Sequence, residues 1–125
     1  FFSDCMAALP LGAVHLNPGD CDQGFGFLGP ALLRARRANN ALNWIGVRAN
    51  MGVASGRVAF SMLNETGGNI RLGYSTQNSG RDLGMRETSF GFGGTGTKSH
   101  AGRYQRWGQT FGKGDTVTAL LDLDR

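Results

Sequence analysis

Ser89-Phe-Gly-Phe-Gly-Gly-Thr-Gly-Thr-Lys-Ser-His100 is the stretch whose reading decides the fold. Inside it, Gly91-Phe-Gly93-Gly-Thr-Gly96 satisfies the letters Gly-x-Gly-x-x-Gly, which in isolation suggest a dinucleotide or kinase-like phosphate loop. That chemistry requires a strand before the glycines and a helix N-terminus after them, because aligned backbone N–H groups at that terminus hold the phosphate. The chain continues beyond Gly96 as Thr97-Lys-Ser-His-Ala-Gly-Arg-Tyr-Gln-Arg-Trp-Gly108, a run with no convincing long helix. The phosphate loop of ATPases fails too, since Thr97 stands directly after Gly96 and Lys98 comes one place late. The glycines therefore read as a sharp loop where backbone passes close to a neighbouring strand, and no cofactor is expected.

Downstream of this stretch stand Tyr104, Trp107-Gly108, Phe111, Gly114-Asp115 and the alternating run Thr116-Val-Thr-Ala-Leu-Leu-Asp-Leu-Asp124. Upstream, Arg57-Val-Ala-Phe-Ser-Met-Leu63 reads as a half-buried strand, with Val58, Phe60 and Met62 on one face and Arg57, Ala59 and Ser61 on the other. Ile70-Arg-Leu-Gly-Tyr-Ser-Thr76 alternates in the same way and is expected to be its partner. The polar connection Asn64-Glu-Thr-Gly-Gly-Asn69 carries the glycine pair that tight hairpins favour, and Asp82-Leu-Gly84 opens the next loop. Nearer the N-terminus, Gly24-Phe-Gly-Phe-Leu28 puts Phe25 and Phe27 on one side, a strand with its aromatic face inward. Leu16-Asn-Pro-Gly-Asp20 is a turn signal. Phe1 to Leu11 is an apolar lead-in too short to arbitrate between helix and extended chain. Short strands joined by Gly-rich turns, without a long helix, point to an all-β chain, an antiparallel β-sandwich.

Composition agrees. Gly is 21 of 125 residues against an ordinary usage of about 7%, with only 3 Pro and no Gly-x-y period, so the glycines punctuate turns and bulges. One domain is expected from the length. No run approaches the roughly 18 consecutive apolar residues of a membrane span, and no membrane association is expected. The net charge of +4 comes from Arg far more than Lys, spread rather than blocked, which permits attraction to RNA or an acidic protein without demanding either. Cys5 and Cys21 lack the paired spacing of a zinc site, with His15 between them and His100 far away, so two free thiols and no metal are expected.

The order of these pieces resembles a SPRY domain. More narrowly, the Phe-Gly-Phe-Gly-Gly-Thr-Gly-x-Lys-Ser-His string, with Asn17-Pro18 and Trp44-x-Gly-x-Arg-Ala49 before it, is similar to the SPRY insert that interrupts the first RecA-like domain of one DEAD-box RNA helicase type. The resemblance runs from about Leu16 to Asp124. It implies a SPRY-like, concanavalin-like jelly-roll topology, with residues 1–15 as a lead-in and 16–125 as the N-terminal two-thirds of the SPRY pattern. By propensity Ala31-Leu-Leu-Arg-Ala-Arg-Arg-Ala38 is a helix, whereas the resemblance implies a strand; the strand is taken, with the helix a live alternative. Asn39-Asn40 then closes a hairpin onto Asn43-Trp-Ile-Gly-Val-Arg-Ala49, with Trp44 as a core anchor. The family pattern continues after Asp124 into strands that complete both sheets, so the fold is expected to be incomplete at its C-terminal end. Val117, Ala119, Leu121 and Leu123 would present an apolar face without a neighbour, and residues 1 to 125 alone would be unstable or insoluble. The remainder of the parent polypeptide, or a second chain, would complete the sandwich.

Catalytic readings are weak. Ser99, His100 and Asp115 have the residue types of a hydrolytic triad but no nucleophile elbow surrounds Ser99. Asp122 and Asp124 read as polar positions alternating with Leu121 and Leu123, not as paired acids. No enzymatic activity is expected of the chain, although the resemblance implies that the parent is an ATP-dependent RNA helicase in RNA processing, cytoplasmic or nuclear. The resemblance further implies a protein-interaction module, with loops at one end of a rigid sandwich as the contact surface. Arg81, Arg86, Lys98, His100, Arg103 and Arg106 are the candidate contact residues, a cluster suited to an acidic protein partner or an RNA backbone. Direct RNA binding, as in ribonucleoprotein scaffolds, is the alternative. It would need aromatics exposed on a sheet beside basic residues, and these aromatics mostly occupy inward or glycine-flanked positions, which favours protein docking.

Overall fold

A computed structural model describes residues 14–37 and 43–125. The lead-in Phe1 to Leu11, Cys5, Ala38 and the Asn39-Asn40 turn lie outside the described residues. The rest carries ten strands and no helix: β1 (Leu16–Cys21), β2 (Phe25–Leu28), β3 (Arg34–Arg37), β4 (Val47–Ala49), β5 (Arg57–Leu63), β6 (Arg71–Ser75), β7 (Ser89–Gly93), β8 (Thr97–His100), β9 (Arg103–Arg106) and β10 (Thr116–Asp122). All pairings are antiparallel, within one four-stranded sheet in the order β6-β7-β8-β9 and the ribbons β1-β4, β2-β3 and β10-β5. The architecture is the all-β antiparallel sandwich expected from the sequence.

The strand over Arg57–Leu63 forms with the expected facing: Phe60 is buried, Val58 and Met62 are half-buried, and Arg57 and Ser61 are exposed. Its partner differs from the expectation. Ile70 to Thr76 does not pair with it; β6 pairs with β7, and β5 pairs residue for residue with β10, Phe60 opposite Ala119. Asn64 is the physical reason. Its backbone N–H donates to Asp115 O at 3.0 Å, its carbonyl accepts Gly114 N–H at 2.7 Å, and its side-chain Oδ1 accepts Gly67 N–H at 2.9 Å. The Asn64-Asn69 connection is thereby tied to the turn before β10 and arches to the other layer instead of closing a hairpin. Across the layers, the Tyr74 ring stands edge-on to Phe60 with centroids 5.2 Å apart, and its hydroxyl donates to Ala119 O at 3.0 Å. Val117, Ala119 and Leu121 share the face of Phe60 and are half-buried, so the apolar face expected to be bare is partly covered, while Leu123 lies beyond the strand and is exposed.

The N-terminal half holds three further corrections. Leu16 to Asp20 is not a simple turn but a bulge inside β1: Leu16 lies opposite Ala49 and Cys21 opposite Val47, so β4 is answered by a longer run of β1. Asn17 makes room for this by accepting Gly19 N–H at 2.9 Å. Next, Ala31–Ala38 supplies a strand, Arg34–Arg37, and not a helix, but it pairs with β2, whereas β4 pairs with β1; the expected hairpin between them does not form. Finally, Trp44 is no core anchor. Strand pairing begins only at Val47, which takes the core position at 2% exposure, leaving Trp44 on the preceding loop, 57% exposed.

The glycines of the central stretch do what was read from them, with the geometry now specific. Gly91 lies in β7 with Arg71 Cδ and Ser99 Oγ each 2.8 Å from where a Cβ would stand. Gly96 turns the chain from β7 into β8 at φ +79°, its backbone against the carbonyl of Gly108. The next hairpin, β8 to β9, turns through Ala101 and Gly102, both at positive φ, the signature of a type I′ turn. Ala is a poor choice there, because its Cβ crowds the carbonyl in the left-handed region. Ala101→Asn is expected to raise stability by about 0.5–1 kcal/mol, read as an upward shift of the urea midpoint; a downward shift would refute the turn assignment.

Candidate functional site

Cross-strand pairing sorts the candidate residues onto faces. Phe90 lies opposite His100 and Phe92 opposite Lys98, while Lys98 lies opposite Gln105 and His100 opposite Arg103. Directly opposed residues share a face, so Phe90, Phe92, Lys98, His100, Arg103 and Gln105 occupy one side of the sheet. Gly91, Thr97, Ser99, Tyr104 and Arg106 occupy the other. The structure therefore brings Lys98, His100 and Arg103 together, all exposed, and puts Arg106 on the opposite face. Arg86 is exposed beside the same hairpin end, its carbonyl accepting Ala101 N–H at 3.1 Å.

Arg81 leaves the group. Its Nε donates to Asp22 at 2.9 Å and its Nη1 to Asp20 at 3.0 Å. Those two hydrogen bonds, to Asp22 first and Asp20 second, hold its guanidinium above the ordinary arginine range against the opposing effect of burial. It is a structural tie between β1 and the 76–88 loop, and Arg48 joins it on Asp20 at 2.9 Å.

On the cationic face the rings are already engaged. His100 stacks on Phe90 with centroids 4.2 Å apart and planes 10° from parallel, and its Nε2–H donates to Glu87 O at 2.8 Å. Trp107 stands edge-on to Phe92 at 5.6 Å, with the Lys98 ammonium 5.7 Å from its centroid. Between Thr88 and Gly114 the sequence has Lys98, Arg103, Arg106 and Lys113 and no Asp or Glu, and the exposed Glu87 stands directly before this segment.

The expectation that the aromatics mostly sit inward or beside glycine fails for Trp44 and Tyr104, which have no adjacent glycine and are more than half exposed, and the glycine-flanked Phe90 and Trp107 are exposed to a similar degree. Glycine-flanked strands leave rings without neighbours to bury them, which period-2 spacing alone does not reveal. On the second face the Arg71 guanidinium lies 4.8 Å from the Trp44 centroid and 5.2 Å from that of Tyr104, with its Nη1 donating to Leu83 O at 3.1 Å. Neither Arg71 nor Trp44 was singled out as a contact residue from sequence.

The catalytic decoys come apart. Ser99 is buried against Gly84 and Gly91 while His100, its neighbour on β8, points to the opposite face; Asp115 caps its own turn by accepting Gly112 N–H at 2.8 Å. Asp122 pairs with Arg57 at 2.9 Å, and Asp124, past the strand end, accepts Gly56 N–H at 2.8 Å. The half-buried Cys21 thiol donates to Pro18 O at 3.2 Å. Among the described residues no three His, Cys, Asp or Glu side chains gather as a metal would need, and no helix is long and apolar enough to cross a membrane.

No protein-family model matches the chain. It is 43% identical over 81 residues, 64% of its length, to ATP-dependent RNA helicase Ddx1 of Drosophila melanogaster. To ATP-dependent RNA helicase DDX1 of Xenopus laevis it is 34% identical over 114 residues, 91% of its length. Heterogeneous nuclear ribonucleoprotein U-like protein 2 of Homo sapiens is 34% identical over 91 residues, 65% of the chain. These segments make up 11%, 15% and 12% of the respective relatives, so the chain spans only a small part of each. The helicase relatives bear out the resemblance to the SPRY insert of a DEAD-box RNA helicase.

Proposed function

We propose, starting from this kinship with ATP-dependent RNA helicases, that the chain is a non-catalytic SPRY interaction module of a larger RNA-processing protein, acting in the cytoplasm or nucleus. Its task is to dock a protein partner; ATP-dependent unwinding belongs to other parts of the parent polypeptide. The observation that carries this reading is the face of β7, β8 and β9 with Lys98, His100 and Arg103 side by side, Arg86 at its end, and no carboxylate between Thr88 and Gly114. A rigid sheet holds these cations without the ordering cost of a flexible loop, and charge complementarity of this kind steers an acidic partner and speeds its association. On the same face His100 stacks on Phe90 and so takes one face of that ring from a base, which favours a protein over RNA there.

The test is charge reversal. Lys98→Glu with Arg103→Glu, in the polypeptide that carries this chain, is expected to abolish capture of the acidic partner and leave unfolding within about 0.5 kcal/mol of the parent, since both side chains are exposed. Capture that survives the double reversal refutes the docking face.

A further inference from the structure

We infer that the opposite face of the same sheet, built from Trp44, Arg71, Tyr104 and Arg106, is a stacking site for single-stranded RNA. The inference rests on the chain being part of an RNA-processing protein but not on the protein-docking face. Trp44 and Tyr104 are 57% and 51% exposed. Each has one ring face occupied by the Arg71 guanidinium, at 4.8 and 5.2 Å from the centroids, which leaves the outward faces to solvent. Arg71 is itself anchored: its Nη1 donates to Leu83 O, and its stem crosses the backbone at Gly91, where a side chain would collide. Tyr104 is anchored through its hydroxyl, which donates to Met85 Sδ at 3.0 Å. The rings are thus pre-set, and ligand binding does not have to order them.

Arg106 sits in the same cross-strand row as Arg71. Arg71 lies opposite Gly93, and Thr97 opposite Arg106, so their backbone positions are three strand spacings apart, roughly 14 Å at about 4.8 Å per spacing, and the Arg71 side chain crosses β7 to bring its guanidinium against Tyr104 on the strand of Arg106. A cation held against two exposed rings, with a second cation two residues from Tyr104 on β9, matches what single-stranded nucleic acid offers, a run of phosphates with a flat π face on every base. An acidic peptide would satisfy the arginines but leave the ring faces unused. Duplex RNA is excluded on the same ground, since its bases are stacked on one another. Four of the chain's cations, Lys98, Arg103, Arg106 and Lys113, lie between Thr88 and Gly114 without an acid, so the sheet end as a whole attracts a polyanion.

The probe is an oligouridine carrying 4-thiouridine, irradiated with the intact polypeptide that carries this chain and mapped by mass spectrometry. Cross-links are expected on the peptides containing Trp44 and Tyr104. They should fall about tenfold in Trp44→Ala/Tyr104→Ala, as expected for losing base–aromatic stacking, and stay within about twofold in Trp44→Phe/Tyr104→Phe, which keeps the rings. Arg106→Gln should weaken the same cross-links and flatten their dependence on salt. The phenylalanine and glutamine variants keep the test decisive even where the alanine pair fails to fold. Absence of cross-links on these peptides, equal yield in the alanine pair, or equal competition by duplex RNA overturns the inference. So does capture of a polyglutamate peptide by this face without RNA. Protein capture by the Lys98/Arg103 variant is scored separately, so each reading fails on its own result.

Discussion

Arg48→Met is expected to lower stability by about 3 kcal/mol, a fall in Tm on the order of 10 °C for a domain of this size. The Arg48 side chain is 13% exposed. Its guanidinium donates to Asp20 Oδ2 at 2.9 Å, Ser75 Oγ at 2.9 Å, Thr76 O at 2.6 Å and Ser79 O at 2.8 Å. Methionine keeps most of the stem and its packing but leaves two backbone carbonyls and a hydroxyl without their donor in a site partly closed to water. Asp20 retains Arg81, which limits the loss. Arg48→Lys should recover only a small part, because one ammonium cannot reach four acceptors arranged around a planar fork. Urea unfolding of the three proteins measures this, and a loss below about 1 kcal/mol for the methionine variant would mean that the end of β6 and the loop after it are held by something other than Arg48.

Gly84→Ala is expected to cost at least about 3 kcal/mol, the sum of a left-handed backbone penalty of about 1–2 kcal/mol and overpacking of about 1–3 kcal/mol. Gly84 has φ +87°, and a Cβ there would land on Ser99 Oγ and 2.6 Å from Ser99 Cβ. Ser99 is 2% exposed in the middle of β8 and has nowhere to retreat. The backbone of Gly84 is pinned as well, with its N–H donating to Ser89 Oγ at 2.7 Å and its carbonyl accepting Gly102 N–H at 3.0 Å. Two comparisons isolate the cause. Gly52→Ala, where nothing lies within 4 Å of the new carbon, should change stability by less than about 0.5 kcal/mol. Ser99→Gly should partly rescue Gly84→Ala, because the two positions share one space and their effects are not additive. Equal effects at Gly84 and Gly52 would show that the loop does not press on β8 as described.

These two sites mark the limit of what was legible beforehand. From sequence Asp82-Leu-Gly84 reads only as a loop, and Arg48 only as a letter in the Trp44-x-Gly-x-Arg-Ala49 motif; neither residue's local surroundings in sequence name the groups it meets. The same holds for the candidate site. Lys98, His100 and Arg103 could be nominated from charge, and their shared face is fixed once the β8–β9 hairpin exists. Arg81 looked equivalent to them by charge, yet its partners Asp22 and Asp20 lie 59 and 61 positions away.

What the sequence by itself determined is the class of fold, the strand over Arg57–Leu63 with its inner and outer residues, and the close backbone approach at Gly91 and Gly96. Each of these is local: alternation with period two selects an extended strand and its buried face, and missing side chains permit what a Cβ would block. Only the tertiary structure decided that β5 takes β10 and not β6, that β4 takes β1 and not β3, and that Val47 enters the core while Trp44 stays at the surface beside Arg71. Any two strands with matching alternation can pair, so the choice falls to contacts between distant residues, here the three hydrogen bonds of Asn64, the cross-layer Tyr74–Phe60 contact and the two arginines gathered on Asp20, whose energies act only once the chain has brought them together.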